Sequence, residues 1–192
     1  MQEKFTLEQR EELNSIAMRA SDLHKSVGQD YDGKPYSHHL FMVSEIMDKY
    51  FSGLGELPEY DLYKMLYFAC MFHDSIEDAR LTYNDVLKIA SEYMTSGFAK
   101  ASVEIVYALT NEKGRNRKER ANKKYYQGIC DTKFAPFIKA CDRLANIRYS
   151  KETGSRMFDI YKKEMKDFLS SISDRSNKIP KKLIEELNNI TL

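Results

Sequence analysis

The chain has 192 residues, with 30 Lys plus Arg against 29 Asp plus Glu and a formal net charge of +1. That length suits one domain with a real core, and the near-balance of charge argues against a protein that mainly coats nucleic acid or an acidic membrane. Hydrophobic residues make up 42% and charged residues 31%, with 8 Gly and 4 Pro, which excludes collagen-like and low-complexity chains; no apolar run approaches a bilayer span. Met1 to Lys4 lead straight into a charged amphipathic stretch, so no secretory leader is expected and a cytoplasmic location is the default. Cys70, Cys130 and Cys141 are odd in number and lack CxxC spacing. Reduced, mostly buried thiols are therefore expected instead of a disulfide framework or a zinc ribbon.

Thr6 opens a first helix whose stripe is Leu13, Ile16, Ala17, Ala20, Leu23 and His24, at three- and four-residue steps. Gly28, Asp30, Asp32, Gly33 and Pro35 crowd into a turn-rich break over 28–35. A second helix starts after Pro35 and carries His39, Val43, Ile46, Met47 and Tyr50 on its apolar side, followed by a loop from Gly53 to Pro58. From about Asp61 a third helix places Leu62, Met65, Leu66, Ala69, Cys70 and His73 on one face. Thr82 and Asp85 have the spacing of a capping box and predict a helix to about Tyr93. Further helices are predicted over 98–110, 117–129, 133–149, 155–171 and, with Pro180 in a first turn, 180–188. No segment of five or more residues alternates, so no strand is predicted, and no repeat period is visible. The expectation is an all-α single domain, a bundle of about eight or nine helices. Residues 1–171 form its main body, and 172–192 supply the end of a polar linker (Ser170 to Lys178) and a peripheral C-terminal helix of the same domain.

The polar residues on the apolar faces carry the chemistry. A histidine on such a face is commonly a satisfied core residue. His73, however, is followed by Asp74, Glu77 and Asp78, so three acids and an imidazole fall within six residues at the inner end of an apolar helix. Such a group needs a compensating cation or a tight hydrogen-bond network. Asp142 lies four residues after Ile138 in the amphipathic stretch 137–147, with Asn146 one turn later. It either pairs with Lys139 or Arg143 on a solvated face or joins the inward set. His39, His73, Asp74 and Asp142 then make two imidazoles and two carboxylates from three helices. Mixed nitrogen and oxygen donors suit manganese, iron, zinc, nickel or cobalt better than calcium. A site of this kind leaves room for water and a substrate oxygen, so that a metal could acidify the water and offset charge on a phosphate. Glu77 and Asp78, about one turn past Asp74, are placed to take or give a proton.

These residues and their flanks resemble the HD-domain metal-dependent phosphohydrolases, most of all the RelA/SpoT-type guanosine-3′,5′-bis(diphosphate) 3′-pyrophosphohydrolase domain and its small stand-alone homologues. Asp32 to His39 is similar to that family's DGxPYxxH, and His73 to Asp78 to its HDxxED, with Thr82 at the usual offset. Ile138 to Asn146 is similar to VKLADRLxN, and the likeness runs from about residue 10 to 170. The resemblance implies an all-helical fold, one divalent metal ion (manganese) on His39, His73, Asp74 and Asp142, and water activated or positioned by Glu77 and Asp78. It implies Asn146 as a contact to the nucleoside, and release of a 3′-pyrophosphate from guanosine tetra- or pentaphosphate. Some stand-alone relatives also remove a phosphate from NADPH. HD enzymes with two metals need further histidines before the last aspartate; none follows His73, so a mononuclear site is expected. His38 points about 100° round the helix from His39, towards the surface or an outer position.

Three departures leave the substrate open. Gln29-Asp30-Tyr31-Asp32 stands where guanosine-tetraphosphate hydrolases carry basic residues, Leu40 where a proline is usual, and Ala79 where a threonine is common. Tyr31 or Tyr36 could stack on a base or simply pack. Lys113, Arg115, Arg117, Lys118, Arg120, Lys123 and Lys124 fall within twelve residues against the single acid Glu119. This stretch is either a solvated face or a phosphate clamp; it is similar to the NExGxxRKER segment of small stand-alone HD hydrolases, with Arg117 and Arg120 the candidate contacts. Tyr125 and Tyr126 follow, but no RNA- or DNA-binding motif accompanies them, so a nucleic-acid partner is not expected. The expected activity is metal-dependent hydrolysis of a phosphate or pyrophosphate group from a small nucleotide, with no membrane partner and a homo-oligomer left open. The alternatives are a nucleotidase or NADPH phosphatase of the same fold, and a non-catalytic nucleotide sensor, against which the Glu77–Asp78 pair counts.

Overall fold

A computed structural model describes residues 5–54, 60–173 and 179–190. Expectations for Met1 to Lys4, for most of the loop ending at Pro58 and for most of the linker ending at Lys178 lie outside the described residues. The Thr6 hydroxyl accepts from the Gln9 amide at 3.2 Å while the Gln9 side chain accepts from the Thr6 amide at 3.0 Å. This capping box starts α1, Leu7–Ser26, which buries Leu13, Ile16, Ala17, Ala20 and His24. Next come α2, Ser37–Tyr50, with a 3₁₀ turn at Phe51–Leu54, then α3, Tyr60–Phe72, and α4, Tyr83–Tyr93, the last behind the predicted Thr82–Asp85 capping box. They are followed by α5, Ser96–Leu109; α6, Arg117–Arg120; α7, Lys123–Asp131; α8, Ala135–Glu152; α9, Met157–Ile172; and α10, Lys181–Ile190. Nine of these ten helices among the described residues have nine residues or more, and the all-α expectation holds. None is long and apolar enough to cross a membrane.

All of Tyr63–Phe72 is buried, because α3 is apolar on nearly every side and is wrapped by α1, α2, α5 and α8; Lys64 within it pairs with Glu12 of α1 at 2.9 Å. The middle of α8 is equally enclosed, from Phe137 to Ala145 apart from a half-buried Lys139. Helix α2 lies against both α3 and α8. These three helices therefore meet at the centre of the bundle. Helix α10 buries Leu183 and Leu187 against α8 and α9. Its lead-in lies so close to the 3₁₀ turn that a Cβ on Gly53 would sit 2.9 Å from Pro180 Cβ.

Two elements differ from expectation. The break at 28–35 is a small antiparallel hairpin, β1 (Asp30–Tyr31) and β2 (Lys34–Pro35), in the register Asp30 to Pro35 and Tyr31 to Lys34. Asp32 and Gly33 close it at φ 56° and 77°, the two left-handed positions of a type I′ turn. The absence of strands is thus corrected: a two-residue ladder is too short to alternate, and the Asp-Gly pair was its signal. The helix predicted over 117–129 is two helices, because Asn116 and Asn122 each act as an N-cap, accepting from Glu119 and Tyr125 amides at 3.0 and 3.1 Å.

Candidate metal centre and its cavity

Three helices converge on one point. The first turn of α2 brings His39, the residues just beyond the end of α3 bring His73 and Asp74, and the middle of α8 brings Asp142. His39 Nε2 lies 3.2 Å from His73 Nε2, and His73 Nε2 lies 2.8 Å from Asp74 Oδ2. Asp142 Oδ1 is 3.4 Å from His39 Nε2 and 3.9 Å from His73 Nε2. Donor atoms of His39, His73 and Asp74 all fall within 4.8 Å of one another. His73 Nδ1 is 2.8 Å from the Cys70 carbonyl, to which it donates, so Nε2 is the atom turned to the cluster. No such bond orients His39 Nδ1 among the described residues; the Tyr31 ring, stacked on the imidazole at 4.8 Å and 16°, holds it instead.

The electrostatics match this crowding. Burial would lower the pKa of His73, yet Asp74 and Asp142 outweigh it and raise the imidazole to about 9. Burial likewise opposes ionisation of Asp74 and Asp142. The neighbouring imidazoles nevertheless pull Asp74 below the usual carboxylate range, and Lys139 with the same imidazoles does so for Asp142. Two ionised carboxylates facing two imidazoles are a donor set that a divalent cation fits, displacing any proton they share. Asp142 is further restrained: Oδ1 accepts from Asn146 Nδ2 at 2.5 Å, and Oδ2 from Lys139 Nζ at 3.0 Å.

A cavity of about 210 Å³ opens above the cluster and reaches His39, Asp74, Glu77, Asp78, Asp142 and Asn146, together with Arg117, Arg120, Lys139 and Arg143. The Tyr36 hydroxyl is 2.5 Å from Asp74 Oδ2 and 3.1 Å from Asp78 Oδ2. Its ring is buried and stacked on His24 at 4.3 Å and 18°, so the base-stacking use considered for Tyr36 is corrected. Only its hydroxyl end is turned to the carboxylates. The Asp78 carboxyl is raised by its burial and by Asp74. Glu77 accepts from the Asn111 backbone at 3.3 Å and from its Nδ2 at 2.9 Å, with Arg120 Nη1 at 3.7 Å. Arg120 arrives there through a tight loop: a Cβ on Gly114 would meet Glu119 Cβ at 2.7 Å and the Arg120 amide at 2.9 Å.

Of the seven basic residues in 113–124, only Arg117 and Arg120 line this cavity, and both already face a carboxylate. His38 lies away from it, its ring 5.8 Å from Tyr149. Lys139, Arg143, Asn111 and Glu164 were missed as parts of the site. The pairing of Lys139 with Asp142 was legible at i,i+3, but it occurs beneath Tyr125, whose ring lies 5.6 Å from Nζ, and not on a solvated face.

No protein-family model matches this chain. It is similar to guanosine-3′,5′-bis(diphosphate) 3′-pyrophosphohydrolase MESH1 of Danio rerio, with 26% identity over 136 residues, covering 71% of this chain and 67% of that protein. The likeness is distant. It and the His39–His73–Asp74 cluster are compatible with the HD-type resemblance of the motifs.

Proposed function

We propose that this chain is a metal-dependent nucleotide phosphohydrolase of the HD type, with a guanosine tetra- or pentaphosphate 3′-pyrophosphate as its leading substrate. The observation that carries this reading is the meeting of two imidazoles and two carboxylates at the floor of a cavity with a cationic wall. His39, His73, Asp74 and Asp142 would hold one divalent cation, and manganese suits their mixed donors. When bound, such an ion supplies Lewis acidity towards a phosphate oxygen and lowers the pKa of water. Four carboxylates (Asp74, Glu77, Asp78, Asp142) and four permanent cations (Arg117, Arg120, Lys139, Arg143) line the cavity, a formal balance of zero. Any added divalent cation turns it net positive and attractive to phosphate.

Glu77 and Asp78 are the two carboxylates of the cavity outside the ligand set; one of them accepts the proton of the attacking water, and the other positions it. Asn111 and Arg120 hold Glu77, while Tyr36 holds Asp78. Arg117, Arg120 and Lys139 draw phosphate oxygens into place. Ligand pockets commonly hold about 300–1,000 Å³, so a cavity of about 210 Å³ is too small for a whole nucleotide. A recess of about 350 Å³ adjoins it, sharing Tyr31, Asn146 and Tyr161 and adding Tyr149 and Met157. Its phenol rings suit a nucleoside, with Asn146 at the border. We assign the activity to 1–171 and treat 172–192 as the peripheral part of the same domain; the seating of α10 on α8 and α9 supports its belonging to that domain.

The test is incubation with manganese and a panel of guanosine tetraphosphate, NADPH and nucleoside mono- to triphosphates, with identification of what is released. Pyrophosphate from guanosine tetraphosphate is expected, and none after chelation. Turnover that survives complete metal removal would overturn the scheme. A second reading, nucleotidase or NADPH phosphatase, is favoured by the acidic Asp30 and Asp32 beside Tyr31; inorganic phosphate from NADPH or a monophosphate would select it. Binding of these nucleotides without any release would select the sensor.

A further inference from the structure

The cationic wall of the cavity continues into a second groove of about 800 Å³ beside α6, α7 and α9. The two spaces share Arg117, Arg143, Ala121 and Tyr126, and Glu164 of α9 belongs to the groove alone. At this junction Glu164 accepts from Arg117 Nε and Nη2, each at 3.1 Å, and from Arg143 Nη1 at 3.1 Å. Tyr161 lies against both guanidiniums, its ring centre 5.2 Å from Arg117 Cζ and 4.8 Å from Arg143 Cζ. The Arg143 side chain is 7% exposed and Phe168 lies 4.4 Å behind it, whereas Glu164 is 37% exposed. Arg143 is enclosed by aromatic rings, and Arg117, 44% exposed, rests on Tyr161; the anion between them sits half-buried on α9.

We propose that the Arg117–Arg143 pair is a binding station for a phosphate group of the substrate remote from the histidine–aspartate cluster, and that Glu164 is its internal competitor. This assignment rests on the phosphohydrolase reading and names the part of the nucleotide that the groove receives. One carboxylate against two guanidiniums leaves one positive charge unmatched. A phosphate offers three oxygens and up to two charges, enough to engage both planar forks. Lys118 and Lys123 on the groove, against Asp167, add to the attraction. A cavity of about 210 Å³ does not enclose a polyphosphorylated nucleotide, and the groove is the cationic space that joins it for the remaining phosphates. This groove is cationic where the recess of Tyr31, Tyr149 and Tyr161 is aromatic. Glu164 then sets a threshold: a group of higher charge displaces it, and a nucleotide with a single phosphate at the cluster leaves it in place.

Inorganic tripolyphosphate titrated calorimetrically into the manganese-loaded full chain tests this directly. Glu164→Gln keeps an acceptor oxygen and removes the competing charge; it is expected to tighten binding about three- to tenfold. Arg117→Gln is expected to weaken it by a similar factor, and Glu164→Asp to track the parent chain. In turnover, Glu164→Gln should raise kcat/KM for guanosine tetraphosphate relative to guanosine monophosphate, a ratio that general structural damage would not raise. Unchanged or weaker tripolyphosphate binding in Glu164→Gln overturns the station, as does unchanged binding in Arg117→Gln, which stands as the test if the Glu164 variant does not fold. Shifts in binding as expected, with no nucleotide in the panel hydrolysed, would keep the station and reject the phosphohydrolase reading; turnover with no shift in binding would do the reverse.

Discussion

Two charged nodes tie this bundle together, and they do opposite things with similar groups. On the surface, Glu186 of α10 accepts from Lys49 and Tyr50 of α2 and from Arg148 of α8. One acid there meets two permanent cations, Lys49 and Arg148 being 53% and 39% exposed, so the node is satisfied by the chain itself. At the centre, two carboxylates meet two imidazoles, almost fully buried at His39 and His73, and a single permanent cation, Lys139 on Asp142. Such a cluster draws positive charge from outside. The same residue types thus read as a staple where permanent cations outnumber the acid, and as a binding site where the acids outnumber them.

Breaking each node separates the two roles. Asp74→Ala is expected to abolish manganese binding, measured by calorimetry, together with phosphate or pyrophosphate release. Glu77→Gln should slow release by about a hundredfold to ten-thousandfold, the range for a lost proton acceptor, while manganese stays bound. Loss of metal binding in that variant would move Glu77 into the ligand set.

pH sharpens the contrast. His24 is buried beneath Tyr36, and burial lowers its pKa to about 4. From about pH 6.5 down to 4 the unfolded chain therefore binds a proton that the folded chain refuses, and stability falls as pH falls, by up to about 3 kcal/mol. Glu186 runs lower: burial opposes its charge, but Lys49, Tyr50 and Arg148 bring it to about 2, so its contribution is present above about pH 4.5 and fades towards 2. Urea unfolding at pH 7, 5.5 and 4.5 should show the first loss in the parent chain and a smaller one in His24→Phe. An equal loss in both would remove His24 from the account.

Smaller effects complete the series. Glu186→Ala should lower Tm by about 2–4 °C, roughly 1 kcal/mol in a chain of this size, with turnover unchanged. Tyr31→Phe deletes the hydroxyl that donates to Asn146 Oδ1 at 2.9 Å and keeps the ring on His39. A rise in KM of about two- to tenfold is expected, and an unchanged KM would place the substrate elsewhere.

Much of the fold was legible because local rules and burial agree. The capping boxes at Thr6 and Thr82 begin α1 and α4, and the stripe of α1 is buried as expected except for a half-buried Leu23. His39 and His73 stood out because each is polar on an otherwise apolar face, and Asp74 because it follows His73 in a run of acids; for Asp142 the pattern left a solvated face open. The hairpin escaped because two paired residues have no period, and the split between α6 and α7 because Asn116 and Asn122 cap helices that a continuous pattern joins.

From the order of residues alone came the helices, their inward faces and the few ionisable side chains placed on them, since periodicity, caps and burial act within one segment. Only the folded chain decided which of those groups meet. The distance between His39 and Asp142, the cover of Tyr125 over the Lys139–Asp142 pair, and the sharing of Glu164 by Arg117 and Arg143 depend on how helices far apart in sequence cross. Those crossings follow from close packing of the whole core, to which every segment contributes and which none specifies by itself.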